Sequence, residues 1–103
     1  MQRLTIIRTP GDPDALLAAK REHMDPVMGP KADQIGMLFH LAARGPDGLV
    51  VVNLWDSEEA SEKAAQDPEI DQARQAMRDS GTATGAPEFE HYEVVDYRPV
   101  SGG

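Results

Sequence analysis

Three histidines, one asparagine and one tryptophan carry most of the chemistry this chain could perform. Imidazole is the one side chain whose ordinary pKa lies near neutrality, so His40, in mid-strand within "GMLFHLAA", is a candidate general base. It could draw a proton from a phenol or from a carbon beside a carbonyl. The same ring, hydrogen-bonded within a core, would be structural, and both readings stand. His91, in "EFEHYEVVDY", has Glu90 and Glu93 close by and alternates with Glu93, Val95 and Tyr97. A His–Glu pair there is either catalytic or an edge or interface ion pair. His23, near the end of the first expected helix, carries a charge that the negative helix terminus would favour.

Asn53 and Trp55 interrupt the aliphatic run "GLVVVNLWDSEEA". A buried amide left without partners costs about 1–3 kcal/mol, so Asn53 either bonds a neighbour or faces a wet cavity. Trp55 brings a large apolar area and is either a core aromatic or a substrate contact. Met24 and Met77, with Met28 and Met37, fill the core or line an adaptable pocket. Phe39 is a further candidate apolar contact for a ligand. The histidines form no His-x-His or His-x₃-His pair and the chain has no cysteine, so no metal site is expected. No Gly-rich phosphate loop and no nucleophile elbow is present.

A length of 103 residues fits one domain, expected over 1–98, with 99–103 as a flexible tail. Eighteen acidic against 10 basic side chains give a net charge of −8, and the basic residues are scattered, which argues against nucleic acid as a partner. No apolar stretch approaches the ~18 residues needed to span a bilayer, so no membrane association is expected. "MQRLTIIRTPGDPD" lacks the features of a secretory leader, which points to a cytoplasmic location.

The elements that would hold these residues read in order. "RLTIIRT" is β-branched and bounded by Pro10 and Gly11, hence a strand. Asp12 and Pro13 suit the start of a helix whose apolar stripe includes Leu16, Leu17, Ala19, Met24, Val27 and Met28. Pro26, Gly29 and Pro30 predict a turn or irregular end over 25–33. "QIGMLFHLAARGPDGLVVVNLW" reads as a hairpin turning at "RGPDG", with Gly48 able to take positive φ. Asp56 or Ser57 caps a second helix, which Asp67–Pro68 restarts, and "EFEHYEVVDYRPV" is the last strand. This β-α-β-β-α-β order predicts an α+β, ferredoxin-like fold: a four-stranded antiparallel sheet with two helices on one face.

Such helices cover one face only. Yet Leu49, Val51, Asn53 and Trp55 alternate with Val50, Val52 and Leu54, and Met37, Phe39 and Leu41 with Leu38, His40 and Ala42, so neither face reads as solvated. Fully burying one Val, Leu or Phe gains about 1.5–3 kcal/mol. A homodimer formed by sheet-to-sheet packing follows as the expected solution. One face suits the dry contact; the other, with Asn53 and Trp55, suits a cavity for a hydrophobic small molecule. A two-residue hairpin loop would place His40 beside Asn53, whereas a three-residue loop with a bulge would separate them; the first is the expectation here.

The strand that ends in Trp before an acidic residue, Ser and Glu-Ala ("VVVNLWDSEEA"), together with "GMLFHLAA...PDGLVVV" and "FEHYEVVDY", resembles the dimeric α+β barrel superfamily. Within it, the likeness is to antibiotic biosynthesis monooxygenase-like (ABM) domains. It implies a pocket in each subunit between helices and sheet. It also implies an activity among cofactor-free oxygenases of aromatic polyketides, polyketide cyclases, isomerising or dehalogenating enzymes, and haem-degrading enzymes. Asn53 and Trp55 match in kind the Asn and Trp of such oxygenases. The second helix has no histidine to ligate haem iron and the first strand lacks the usual Asn, which argues against haem degradation.

The resulting expectation is a small monooxygenase-like enzyme that needs no cofactor, with His40, His91 and Asn53 catalytic. Trp55, His23, Met24, Phe39 and Met77 would contact the substrate. A polyketide cyclase-like enzyme and a non-catalytic dimeric ligand-binding or accessory protein are the alternatives.

Overall fold

The computed structural model describes residues 1–100. β1, Arg3–Pro10, leads into a helical stretch of three parts: α1, Pro13–Ala19, a π-helical turn, Lys20–Met24, and α2, Asp25–Lys31. The carboxylate of Asp12 caps α1 by accepting from the Ala15 N–H at 2.9 Å. The segment 25–33, expected to be a turn or an irregular helix end, is helical as far as Lys31, with the irregular π turn just before it. Pro26 has no N–H to return to the preceding turn, and the backbone widens to the π form just before it. After this helix come β2, Met37–Arg44, and β3, Gly48–Trp55.

α3, Glu58–Ala65, is capped by Ser57, whose hydroxyl accepts from the Ala60 N–H at 3.0 Å. α4, Pro68–Asp79, is capped by Asp67, which accepts from the N–H groups of Glu69 and Ile70 at 2.8 and 3.2 Å. Lys31 binds the same carboxylate at 3.1 Å and so ties the end of α2 to the start of α4. The Ile70 N–H first, then the Lys31 ammonium, hold the Asp67 carboxyl below its ordinary pKa. β4, Glu88–Glu93, closes the chain's regular structure. The last strand is shorter than its sequence suggests, and Val95 and Tyr97 lie beyond it, off the ladder that carries His91.

The four strands form one antiparallel sheet in the order β2-β3-β1-β4, the ferredoxin-like arrangement expected from the sequence. Arg44 pairs with Leu49, and the Gly45 N–H donates to the Gly48 carbonyl at 2.8 Å, leaving Pro46 and Asp47 as a two-residue loop. Gly48 does not take positive φ. It is glycine because a Cβ there would stand 1.9 Å from the Thr9 carbonyl oxygen on β1. The irregularity in the hairpin lies at its other end, where a bulge at Leu38 lets Met37 pair with Trp55 while Phe39 pairs with Leu54. Met37 and Phe39, expected on one face, thus point to opposite faces.

Trp55, Ala64 and Ile70 form the core between helices and sheet, with Val27, Met28, Ile35, Met37 and Ala60 packed around them. Period-two alternation then puts Leu49, Val51, Asn53 and Trp55 on the helix side of β3 and Val50, Val52 and Leu54 on the outer side. The helices lie over the central strands. All of β2 beyond Met37 is exposed, and β4 nearly so. The outer face joins Leu4 and Ile6 of β1 to Phe39 and Leu41 of β2, which remain 44% and 39% exposed. At its β4 corner Arg8 and Tyr92 both bind the Glu90 carboxylate at 2.6 Å. No helix among the described residues is long and apolar enough to cross a membrane.

Candidate functional site

One register position on each strand falls in a single line. His40 on β2 pairs with Asn53 on β3, Asn53 with Thr5 on β1, and Thr5 with His91 on β4. Trp55 shares its strand face with Asn53 and belongs to the core under the helices, so this line of four polar side chains runs across the helix side of the sheet. Its two middle members, Thr5 and Asn53, are buried, and the histidines at the ends are exposed.

Each histidine bonds the buried residue beside it. His40 Nδ1 lies 2.6 Å from Asn53 Oδ1. An amide oxygen only accepts, so His40 Nδ1 donates, and in the neutral ring Nε2 then holds the free lone pair. Asn53 makes no other side-chain hydrogen bond among the described residues, which leaves its Nδ2 with two donors to offer. His91 Nδ1 lies 3.1 Å from Thr5 Oγ1, a group that can give or accept, so this contact does not choose a tautomer. The ring of His91 also stacks on Phe89, with centroids 6.5 Å apart. Three strand spacings of about 4.8 Å separate the two imidazoles, too far for both to reach one reacting atom. The line holds two separate hydrogen-bonded pairs, not one cluster.

The other expected contacts distribute differently. Phe39 lies on the outer face, away from His40 and Asn53, and cannot touch a ligand bound on the helix side. Trp55 is walled into the core at 5% exposure and offers no open surface. Its Nε1–H is buried without an acceptor, a cost of about 1–3 kcal/mol that its apolar packing must offset. His23 sits half-buried in the π turn with its Nε2 3.7 Å from the Glu22 carboxylate. Met24, in the same turn, and Met77, on α4, are half-buried in the helical layer, where α4 packs against the π turn.

Neither of two surface depressions is lined by Asn53. One depression of about 370 Å³ lies between α3 and the loop before β2, with Ile35, Ala60 and Ala64 at its base and Gln34, Ser57 and Lys63 at its rim. A smaller one, about 150 Å³, is lined by Arg3, Glu58, His91 and Glu93 among others, at the end of the sheet where Arg3 pairs with Glu58 at 2.8 Å. The His40–Asn53 pair stands instead on the open flank of β2. Among the described residues, no three His, Asp or Glu side chains are grouped so as to hold a metal ion.

Two buried polar residues escaped the sequence reading. Thr5 is one of several β-branched residues in its strand, and only pairing with both Asn53 and His91 marks it out. Lys20 is buried, at 8% exposure. Its signal was visible: it follows Leu16 by four residues and Ala19 by one, on the apolar stripe of the helix.

No family model and no curated protein sequence matches the chain. Solved structures do. The chain is similar to a Chloroflexus aurantiacus protein provisionally described as an antibiotic biosynthesis monooxygenase: 20% identity, 98% of this chain and 100% of that one, TM-score 0.68. It is similar to SnoaB, a cofactor-independent oxygenase from Streptomyces nogalater, at 17% identity over 96% of each chain with a TM-score of 0.65. A dimeric ferredoxin-like protein of unknown function from Jannaschia sp. matches at 11% identity, 91% of this chain and 100% of that one, TM-score 0.71. At these identities the likeness establishes the fold. It is the ferredoxin-like α+β fold shared with the structures described as antibiotic biosynthesis monooxygenases, along nearly the whole chain.

Proposed function

We propose that the chain is a homodimeric, cofactor-independent oxygenase acting on a hydrophobic, phenolic or polyketide-like molecule, with His40 as general base and Asn53 as hydrogen-bond donor. The observation that carries this reading is the His40–Asn53 pair, 2.6 Å apart. It presents a free imidazole lone pair and a free amide N–H₂ side by side. That is the complement of a phenol or enol about to lose a proton: one group takes the proton, the other holds the oxygen that becomes negative. The similarity to SnoaB supports oxygen chemistry without a cofactor.

The chemistry balances on substrate and O₂ alone. His40 Nε2 removes the proton and leaves a delocalised anion, electron-rich enough to transfer electrons to O₂. In an anthrone-type substrate, whose ring CH₂ is conjugated to the ionised oxygen, O₂ adds at that carbon to give a peroxide. Loss of water, assisted by the proton His40 holds, leaves one oxygen atom on carbon as a ketone and places the other in water. Asn53 Nδ2 steadies the ring oxygen throughout.

The dimer rests on the outer face, where Leu4, Ile6, Phe39, Leu41, Val50 and Val52 stay partly open as one apolar sheet surface. A second copy laid sheet to sheet would cover it. Sedimentation at micromolar concentration should give a particle of twice 11.2 kDa; a folded particle of 11.2 kDa would remove the dimer. For the reaction, O₂ uptake with a fused-ring anthrone is the test. Uptake above the buffer rate, with one O₂ consumed per anthrone, supports the oxygenase. Anthrone bound without uptake would favour a ligand-binding module instead.

A further inference from the structure

The two edges of the sheet are built differently. β4 carries Glu88, Glu90 and Glu93 among its six residues, and charges on an edge strand keep it from pairing with another chain. β2 is eight residues long and has no fixed charge and no proline from Met37 to Ala43. Only the bulge at Leu38 disturbs it, at its start. One side of its backbone pairs with β3, and the other pairs with no strand among the described residues. Leu38 and Leu41 remain 46% and 39% exposed. A long, apolar, unguarded edge is a template for a further strand.

Two features favour a second copy of β2 as that strand. The chain has a net charge of −8 and repels its own kind over much of its surface, whereas this strip meets itself without fixed charge. Phe39 and Leu41 also belong to the apolar outer face, so the edge continues the surface on which the sheet-to-sheet dimer rests. Antiparallel pairing of a strand with its own copy is isologous: a two-fold axis normal to the sheet relates the copies, and the pairing closes at two. The outer faces stay open for sheet-to-sheet contact, so the two contacts together close four chains.

The same pairing changes the surroundings of His40. It is the fourth of eight residues, so antiparallel pairing over more than half of the strand sets a residue of the partner's β2 one strand spacing away, about 4.8 Å. The axis keeps the helix sides of both sheets together. Because the helices lie over the central strands, the two β2 strands then floor a trough between two helical layers, about 14 Å from β3 to its counterpart. The flank on which His40 and Asn53 stand open in one copy becomes part of that trough.

We infer that the free edge of β2 pairs with β2 of a second copy, and that the substrate lies in the trough so formed, against the His40–Asn53 pairs of both copies. The pairing stands on the sheet alone; the trough as substrate site rests on the oxygenase reading. One strand pair buries less than the roughly 800 Å² per partner of a stable interface, so it forms at higher concentration than the sheet-to-sheet dimer.

Sedimentation equilibrium from micromolar to millimolar concentration tests the pairing. The wild-type particle should double in mass and stop at four times 11.2 kDa. Ala42 is exposed and lies on the helix side of β2, away from the outer face. Ala42→Glu places a carboxylate from each copy in the paired edge and should hold the protein at two chains. A wild type of constant mass, growth past four chains without a plateau, or an Ala42→Glu protein that assembles like wild type would overturn the pairing. A doubling from one chain to two that Ala42→Glu abolishes would keep the pairing and remove the sheet-to-sheet contact instead. O₂ uptake with anthrone tests the trough: the rate per chain should rise in step with the mass in wild type and stay at its dilute value in Ala42→Glu. A rate per chain that ignores assembly overturns the trough. No uptake from a particle that still doubles removes the oxygenase reading and the trough with it, and leaves the pairing.

Discussion

The two ends of the polar line begin alike and finish differently. Each has an exposed imidazole on an edge strand, bonded through Nδ1 to a buried side chain on a central strand. At the β2 end the partner is an amide, which fixes the ring's proton on Nδ1 and keeps two donors of its own in reserve. At the β4 end the partner is a hydroxyl with a single proton, and the depression beside the ring carries the carboxylates of Glu58 and Glu93. An arriving phenol meets a ring oriented by an amide with hydrogen-bond donors to spare at one end, and at the other a ring beside the Arg3–Glu58 ion pair and Glu93. Histidine alone therefore does not mark the end proposed to react; what distinguishes the two is the side chain that orients it.

That contrast breaks most directly at the imidazoles. His40→Ala should lower kcat/KM for anthrone oxidation by about 10²–10⁴, the usual worth of a general base, while His91→Ala should leave it close to wild type. Equal losses would merge the two ends. At the orienting residue, Asn53→Asp keeps an acceptor for His40 Nδ1 but removes the N–H₂ group and adds negative charge. A drop of about ten- to a hundredfold in kcat, measured by the same O₂ uptake, is expected. At the far end, Thr5→Val keeps the shape and deletes the hydroxyl bonded to His91. Its effect should fall on stability, about 1 kcal/mol by denaturant titration, with turnover unchanged.

The smallest effect separates the line from the helical layer. The Ile70 N–H and the Lys31 ammonium hold the Asp67 carboxyl below its ordinary 3.8. Its folded-state pKa is thus depressed, so its stabilisation is full above the ordinary value and is lost as pH falls through the folded one. Asp67→Asn, which keeps an oxygen for the cap but no charge, should flatten the melting temperature against pH in that acid window and leave O₂ uptake untouched.

The fold was legible because its signals are local. Asp12–Pro13, Ser57 and Asp67–Pro68 start helices where their side-chain chemistry says they should, and the β-branched runs became strands. Pro26 misled, since a proline that ends most helices here only widens one into a π turn. The bulge at Leu38 was invisible, because a one-residue slip in a wholly apolar strand leaves no mark in its pattern. For the site, the two-residue loop at Pro46–Asp47 fixed the register that joins His40 to Asn53. Thr5 was illegible, since its role depends on two partners 48 and 86 positions away in the chain. Trp55 and Phe39 carried the residue types of ligand contacts but lack the position. One is enclosed by the helices and the other turned to the outer face.

The state of the His40 ring is the most direct measure of whether the amide sets up the reactive end. A two-bond ¹H–¹⁵N spectrum of the imidazoles at alkaline pH, assigned with the His40→Ala and His91→Ala variants, reports which nitrogen of each ring carries the proton. The account predicts His40 held with the proton on Nδ1 and Nε2 bare, and that preference lost in Asn53→Ala. A His40 ring protonated on Nε2, or one whose tautomer ignores the loss of Asn53, would contradict it.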